Sequence, residues 1–597
     1  MRRTAFLGWL SVLLGTGLTL SAAAQEPSTR KAEPLAAAVT LARREQTLEE
    51  LVRGLNAPGR PQLEAGRALK WDRATVFAHG IPLRRLQSGL SKLFNAAWME
   101  EASAPPPGKY TLIQGQRAQD YEAQLWRETL EQRATPLFKL AGYLKTPPEE
   151  FKRLEQSLEA NHQEPEDPQL RDGNVWYLSH ADSRAALELA LTLSSEQLYS
   201  LLSDERYFLP WSAMTPRQRE LAQILALNIG KDRQNNAEQG IAPFRKGERA
   251  EDSVEWLKQF GLVLHAEIDP ATDAWIGFGY GLGGMNYAGV SPQGALPMTD
   301  LLPVRGYPYK RQRGTQPPAY PDLERTPFPP EFKLDPNKTT TWTQVVAELS
   351  RHLSLPLFSD AFTFRFVPRQ RDSANLPDLS KLSLAEGLDA LCSRYHYLWW
   401  YEDGMLFFRN RTWFIERQYE VPPPVLALLR RQLETSGQFD TQALDALSRL
   451  TRRQLEGLNA LTALDKGGLK LSYTDPEAYE RLRGDSLARG AYSYLQVYAQ
   501  LNEEQKRQAL SPQGLPLAQM SPAQQQALLQ ILFMELWSEL PAPPADISFR
   551  VEQKVEAPRN PQAPAVARID FVAERLPNRG DSAGLKVAYK SGQTEPH

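Results

Sequence analysis

Cysteine is almost missing from this chain: Cys392 is the one thiol in 597 residues. No intramolecular disulfide can form, so stability has to come from packing even in an oxidising compartment. Cys392 falls on the apolar side of a predicted helix, where it reads as a small buried hydrophobe and not as a nucleophile. Histidine is scarce as well, and His79, His162, His180, His265, His352, His396 and His597 never stand three to five residues apart. With one thiol and no such spacing, no metal site is expected. Charge of a single sign is lacking too, since 69 Lys and Arg face 71 Asp and Glu. That balance offers no basic surface to a nucleic acid or an anionic membrane, and neither is expected as a partner.

What is present begins with Met1-Arg2-Arg3-Thr4, an apolar stretch from Ala5 to Leu20, and the small-residue segment Ser21-Ala22-Ala23-Ala24. This is the order of a cleavable signal peptide. The stretch is shorter than the roughly 20 apolar residues that span a bilayer. Cleavage after Ala24 is expected, delivering an exported chain, periplasmic or extracellular, with no integral membrane segment. The remainder is too long for a single core.

Between Leu301 and Pro336, nine prolines interrupt any helix or central strand, and this reads as a stiff linker near the midpoint. The two sides of it share an order of elements. Thr47-Leu48-Glu49-Glu50 spells a capping box, and so does Thr341-Trp342-Thr343-Gln344, 294 residues on. Leu83, Leu86, Leu90 and Phe94 make one helical stripe, and Leu384, Leu388, Leu391 and Tyr395 make another, 301 residues on. Met214-Thr215-Pro216 and Met520-Ser521-Pro522 each start a helix with proline at its first position, 306 residues apart. Pairs in one order with a slowly drifting offset predict a tandem duplication.

The expected fold class is α+β, a unit written twice. The chain divides into a leader over 1–24, a small α/β module over 25–120, a helical region over 121–240 and a β-rich, Gly-rich end over 241–300. The Pro-rich linker occupies 301–331, followed by a second α/β module over 332–420, a second helical region over 421–540 and a β-rich end over 541–597.

In the second module, the helix from Thr341, the apolar Leu355 to Phe366, the phrase Leu382-Ser383-Leu384-Ala385-Glu386 and the hairpin ending at Phe408 carry a likeness. Residues 332–409 resemble the short N-terminal domain of secretins and TonB-dependent receptors, and residues 39–114 resemble it more loosely. The resemblance implies a small βαβ-type module that sits in the periplasm and contacts partner proteins, and it brings no catalytic residue. After Val421 the sequence is helical and lacks the alternating segments of a membrane barrel. The likeness extends to the module alone.

Motifs that spell chemistry lack the context it needs. Gly279-Tyr280-Gly281-Leu282-Gly283-Gly284 matches a dinucleotide fingerprint, but a poor helix follows, so a glycine-rich loop is expected and no cofactor. Gly484-Asp485-Ser486-Leu487 matches the nucleophile motif of GDSL esterases without the buried strand before it or an Asp-x-x-His after it. Arg483 to Ser486 and Arg579 to Ser582 read as polar turns. Ser179-His180-Ala181-Asp182-Ser183 groups catalytic residue types, yet triad members normally meet across a fold, so a capping or turn role is expected.

The densest aromatic stretch lies in the hairpin over 397–414. Trp399, Trp400, Tyr401 and Trp413 are the candidate partner contacts, because alternate strand faces would turn some of them away from the local core. Together these features point to an exported, non-enzymatic envelope protein that binds or scaffolds another envelope protein or peptide. Two alternatives stay open: an exported hydrolase with a site assembled from distant residues, and a glycan-binding protein using the aromatic hairpin.

Overall fold

The computed structural model describes residues 33–161, 165–167, 170, 174–204, 206–239, 249–269, 274–282, 285–288, 302–309, 317–334, 341–362, 377–436, 438–455, 458, 487–535, 547–556, 565–575 and 579–589. The predicted leader and the Gly484-Asp485-Ser486 motif lie outside them. The fold is α+β, with helices around several small sheets.

In chain order the strands are β1 (Ala38–Thr47), β2 (Gln62–Ala65), β3 (Arg73–Pro82), β4 (Ala96–Glu100), β5 (Lys109–Gln114), β6 (Arg206–Pro210), β7 (Gly261–Asp269) and β8 (Ala274–Leu282). They continue with β9 (Met285–Ala288), β10 (Leu357–Ala361), β11 (Tyr397–Glu402), β12 (Met405–Asn410), β13 (Leu515–Pro516), β14 (Ile547–Glu556), β15 (Ala565–Arg575) and β16 (Arg579–Tyr589). Among the described residues they form four sheets, ordered β1-β3-β10-β12-β11, β2-β5-β4, β6-β7-β8-β9 and β13-β14-β15-β16.

The predicted caps form. The Thr47 and Glu50 side chains bond each other's main-chain N–H groups, as do Thr341 with Gln344 and Ser383 with Glu386. The helices Leu83–Phe94 and Leu384–Tyr395 end alike, on Asn95 and His396 in the left-handed region (φ 48° and 58°). The three-strand ladders that follow also agree. β2 lies parallel to β5 with β4 antiparallel on its other side, and β10 lies parallel to β12 with β11 antiparallel on its other side. In each half a short strand (β6, β13) opens an antiparallel meander of four.

The two α/β modules share one sheet. β3 of the first pairs antiparallel with β10 of the second, from Phe77 opposite Leu357 to Arg73 opposite Ala361. One face of this sheet presents Val76, Phe358, Leu398, Trp400 and Phe407 to the helices Leu48–Arg53 and Leu83–Phe94. The other presents Leu357, Tyr397, Trp399, Leu406 and Phe408 to the helices Trp342–His352 and Leu384–Tyr395. Covered on both faces, β11 and β12 carry near-continuous apolar runs where a half-exposed strand would alternate.

The stretch read as a linker packs as a strap. Val304–Gly306 runs parallel along the outer edge of β11: Trp399 N–H donates to the Val304 carbonyl at 2.8 Å, and Gly306 N–H donates to the Trp399 carbonyl at 2.9 Å. Arg305 lies 5.2 Å over the Trp399 ring and pairs with Asp389 and Glu324. Leu302, Leu323, Phe328 and Phe332 are buried. Prolines that cannot continue a helix suit an extended edge segment.

Gly279 to Leu282 lie in β8, with Gly279 opposite His265 and Gly281 opposite Val263. They are strand and not the expected loop, and β9 follows where a pyrophosphate would need a helix N-terminus. Arg579 to Ser582 open β16, so that tetrapeptide is strand as well and not a turn.

Candidate functional site

The aromatic hairpin is an interior and not a surface. Trp399 and Trp413 are 0% exposed and Trp400 is 1% exposed, while Tyr401 is half-buried. The face expected to turn outward is covered by the helix Leu83–Phe94, just over 300 residues upstream. Trp400 stacks on Phe407 at 4.9 Å and 8°, and Tyr307 of the strap meets its ring edge-on. The candidate contact role of Trp399, Trp400 and Trp413 is therefore corrected, while Tyr401 stays partly exposed.

Where the modules meet, the structure gathers charges that the sequence reading passed over. Arg417 pairs through Nε with Asp72 at 3.0 Å and through Nη1 with Glu122 at 2.9 Å. It also donates to Gln114 Oε1 at 3.3 Å and to the Ala68 carbonyl. Glu122 Oε1 accepts from Gln114 Nε2 at 2.8 Å and from the Trp413 indole at 3.2 Å. Deeper still, Arg409 forms an ion pair with Asp360 at 3.3 Å, their side chains 2% and 0% exposed. Its guanidinium lies 5.0 Å from the Phe94 ring centre and 5.1 Å from that of Trp413. The Asn410 N–H donates to both Asp360 carboxylate oxygens, at 3.0 and 3.1 Å. Asp360 inside Leu-Phe-Ser-Asp-Ala-Phe and Arg409 after Met-Leu-Phe-Phe were the available signals, each a charge set against an apolar strand.

Burial pushes the Asp72 carboxyl up to about 6, against the opposing pull of Arg417 and Arg409. A carboxyl raised in the folded state holds a proton that the unfolded chain releases between the ordinary value of 3.8 and about 6. Its contribution is present below 3.8 and is lost as pH rises through 6, a change on the order of 3 kcal/mol. In urea titrations at pH 4.5 and 7.5, Asp72→Asn is expected to shrink the fall in stability over that interval. An equal fall in the variant would remove Asp72 as its source.

The cluster is built for holding. The Glu122 oxygens face donors of the chain itself, and Asp72 shares the arginine that holds Glu122, so two converging acids are spent on one cation. Ser179 and His180 do approach, with Ser179 Oγ 2.9 Å from His180 Nδ1. The order is wrong for a triad, because the serine stands between Glu155 (3.1 Å) and the histidine, where catalysis needs the histidine in the middle. Ser179 is 1% exposed and also donates to the Trp176 carbonyl. Asp182, the third member of that sequence group, instead accepts from Tyr280 Oη at 3.2 Å and Asn228 Nδ2 at 3.1 Å, tying its helix to β8.

Among the described residues no group of three His, Cys, Asp or Glu could hold a metal ion, and no helix is long and apolar enough to cross a membrane. Cys392 is buried, and burial raises its thiol well above the ordinary range, as fits a packing residue. No family model, curated protein or solved structure matches this chain.

Proposed function

We propose that the chain is a non-enzymatic, exported scaffold made of two copies of one unit, which recognises another envelope protein by strand addition. The observation that carries this reading is the β3–β10 ladder. There one module accepts a strand of the other along its sheet edge, which is the way such a sheet takes up an extended partner. The duplication is supported by the matched ladders, by the left-handed caps Asn95 and His396 at the same offset as the helices they end, and by the paired meanders. The module resembling the short domain of secretins and TonB-dependent receptors suits a role in partner contact.

Photocrosslinking from exposed positions of the exported protein tests this reading. Discrete adducts with one envelope protein, in a protein that turns over no ester or glycoside, are expected. Hydrolysis abolished by Ser179→Ala or Asp72→Asn at unchanged thermal stability would overturn it.

A further inference from the structure

The two units differ at one matched edge. In the second unit the outer edge of β11 is occupied at Trp399 by the strap, whose Val304 and Gly306 exchange main-chain hydrogen bonds with it. The equivalent residue of the first unit, at the same offset of 301 as the preceding helix, is Trp98 on β4. β4 ends its sheet, and among the described residues it pairs with β5 alone. Its register places the bond from Glu101 N–H to the Lys109 carbonyl toward β5. By antiparallel alternation, the main-chain groups of Trp98 and Glu100 then point out of the sheet.

The other free edge is treated differently. On β2 the outward N–H and carbonyl of Leu63 are both taken by the Asn56 side chain, at 2.7 and 3.1 Å, so that edge is closed. Around β4 the surface is apolar and acidic. Met99 is 56% and Ile113 43% exposed, and Glu100 and Glu101 are exposed at its end. Gln87, whose carbonyl holds the Trp98 indole at 2.9 Å, is 7% exposed, and its side-chain Nε2 has no hydrogen-bond partner.

We propose that the outer edge of β4 takes an extended segment of a partner protein, added in parallel as the strap is on β11, apolar and carrying an arginine beside Trp98. The strap supplies the pattern, since Arg305 lies over Trp399 and pairs with Asp389; at the first edge the exposed Glu100 stands two residues from Trp98 on the same strand, while Glu101 already pairs with Lys109 at 3.2 Å. This rests on the scaffold reading and names the surface and the chemistry of what it binds.

The probe is a labelled synthetic peptide with the sequence Leu301 to Lys310, added to the full-length exported protein and followed by fluorescence anisotropy. It is expected to bind, and amide exchange at Trp98 and Glu100 is expected to slow on binding. Glu100→Pro removes one outward N–H at the strand end, where proline is tolerated, and should weaken binding about tenfold with the melting temperature unchanged. A peptide with glutamate in place of its arginine should bind more weakly still. Should Glu100→Pro destabilise the fold, the exchange data on the unaltered protein decide. Binding indifferent to Glu100→Pro and without protection at Trp98 overturns the proposal, while adducts formed from other surfaces would leave the scaffold reading standing. A dimer that Glu100→Pro dissolves would assign the edge to a second copy and overturn the partner assignment.

Discussion

Replacing Arg409 with methionine is expected to lower stability by about 3–5 kcal/mol, because it takes the ion-pair partner from a fully buried carboxylate. The Asp360 side chain is 0% exposed and its countercharge lies 3.3 Å away. Methionine keeps most of the length between the Phe94 and Trp413 rings, so lost packing is a minor part of the effect. The Asn410 N–H bonds remain but carry only part of a full charge. Adding Asp360→Asn to Arg409→Met removes the buried negative charge as well and should recover a substantial share of the loss, since replacing both members of a buried pair is far milder than removing one. Urea denaturation of the two variants provides the test. A double variant as unstable as the single one would show that packing, and not charge, holds this site.

Both residues bear on what a reader of the sequence can see. The capping boxes at Thr47, Thr341 and Ser383 were legible because each is closed within four residues. The hairpin of β11 and β12 was legible for the same reason, its turn at Asp403 and Gly404 lying between two apolar runs. The placement of its aromatics was not. Which face of a strand is covered depends on what packs there, and the cover over Trp400 and Phe407 comes from the helix Leu83–Phe94, whose sequence says only that it is amphipathic. The charged junction failed to show for a like reason. Asp72, Glu122 and Arg417 lie in three distant segments and become a site only when β3 meets β10. The matched offsets predicted two similar units, but an offset carries no information about a sheet edge shared between them. Composition was a safer guide, since one cysteine excludes an intramolecular disulfide whatever the fold.

The shared sheet also predicts an inverted response to alanine at Gly89. In an exposed helix interior, glycine to alanine stabilises by up to about 1 kcal/mol. Here a Cβ on Gly89 would lie 2.3 to 2.8 Å from three ring atoms of Phe358. Phe358 is 0% exposed, stacks on Phe407 at 5.4 Å, and sits in β10 with β3 on one side and β12 on the other, so the ring has nowhere to retreat. Gly89→Ala should therefore cost about 3 kcal/mol or more, at the upper end of overpacking, since the helix must lift away from the sheet. Phe358→Leu removes the obstructing ring atoms, and combined with Gly89→Ala it should cost less than the two changes summed by about 2 kcal/mol. Additive losses in thermal or urea melts would mean that the helix and β10 do not press on each other at this point. Because Gly89 belongs to the first module and Phe358 to the second, the same coupling measures how far the two modules unfold as one body. Gly387, whose Cβ would lie 2.1 Å from the Phe328 ring, gives the second module a contact of the same kind between a helix and the strap.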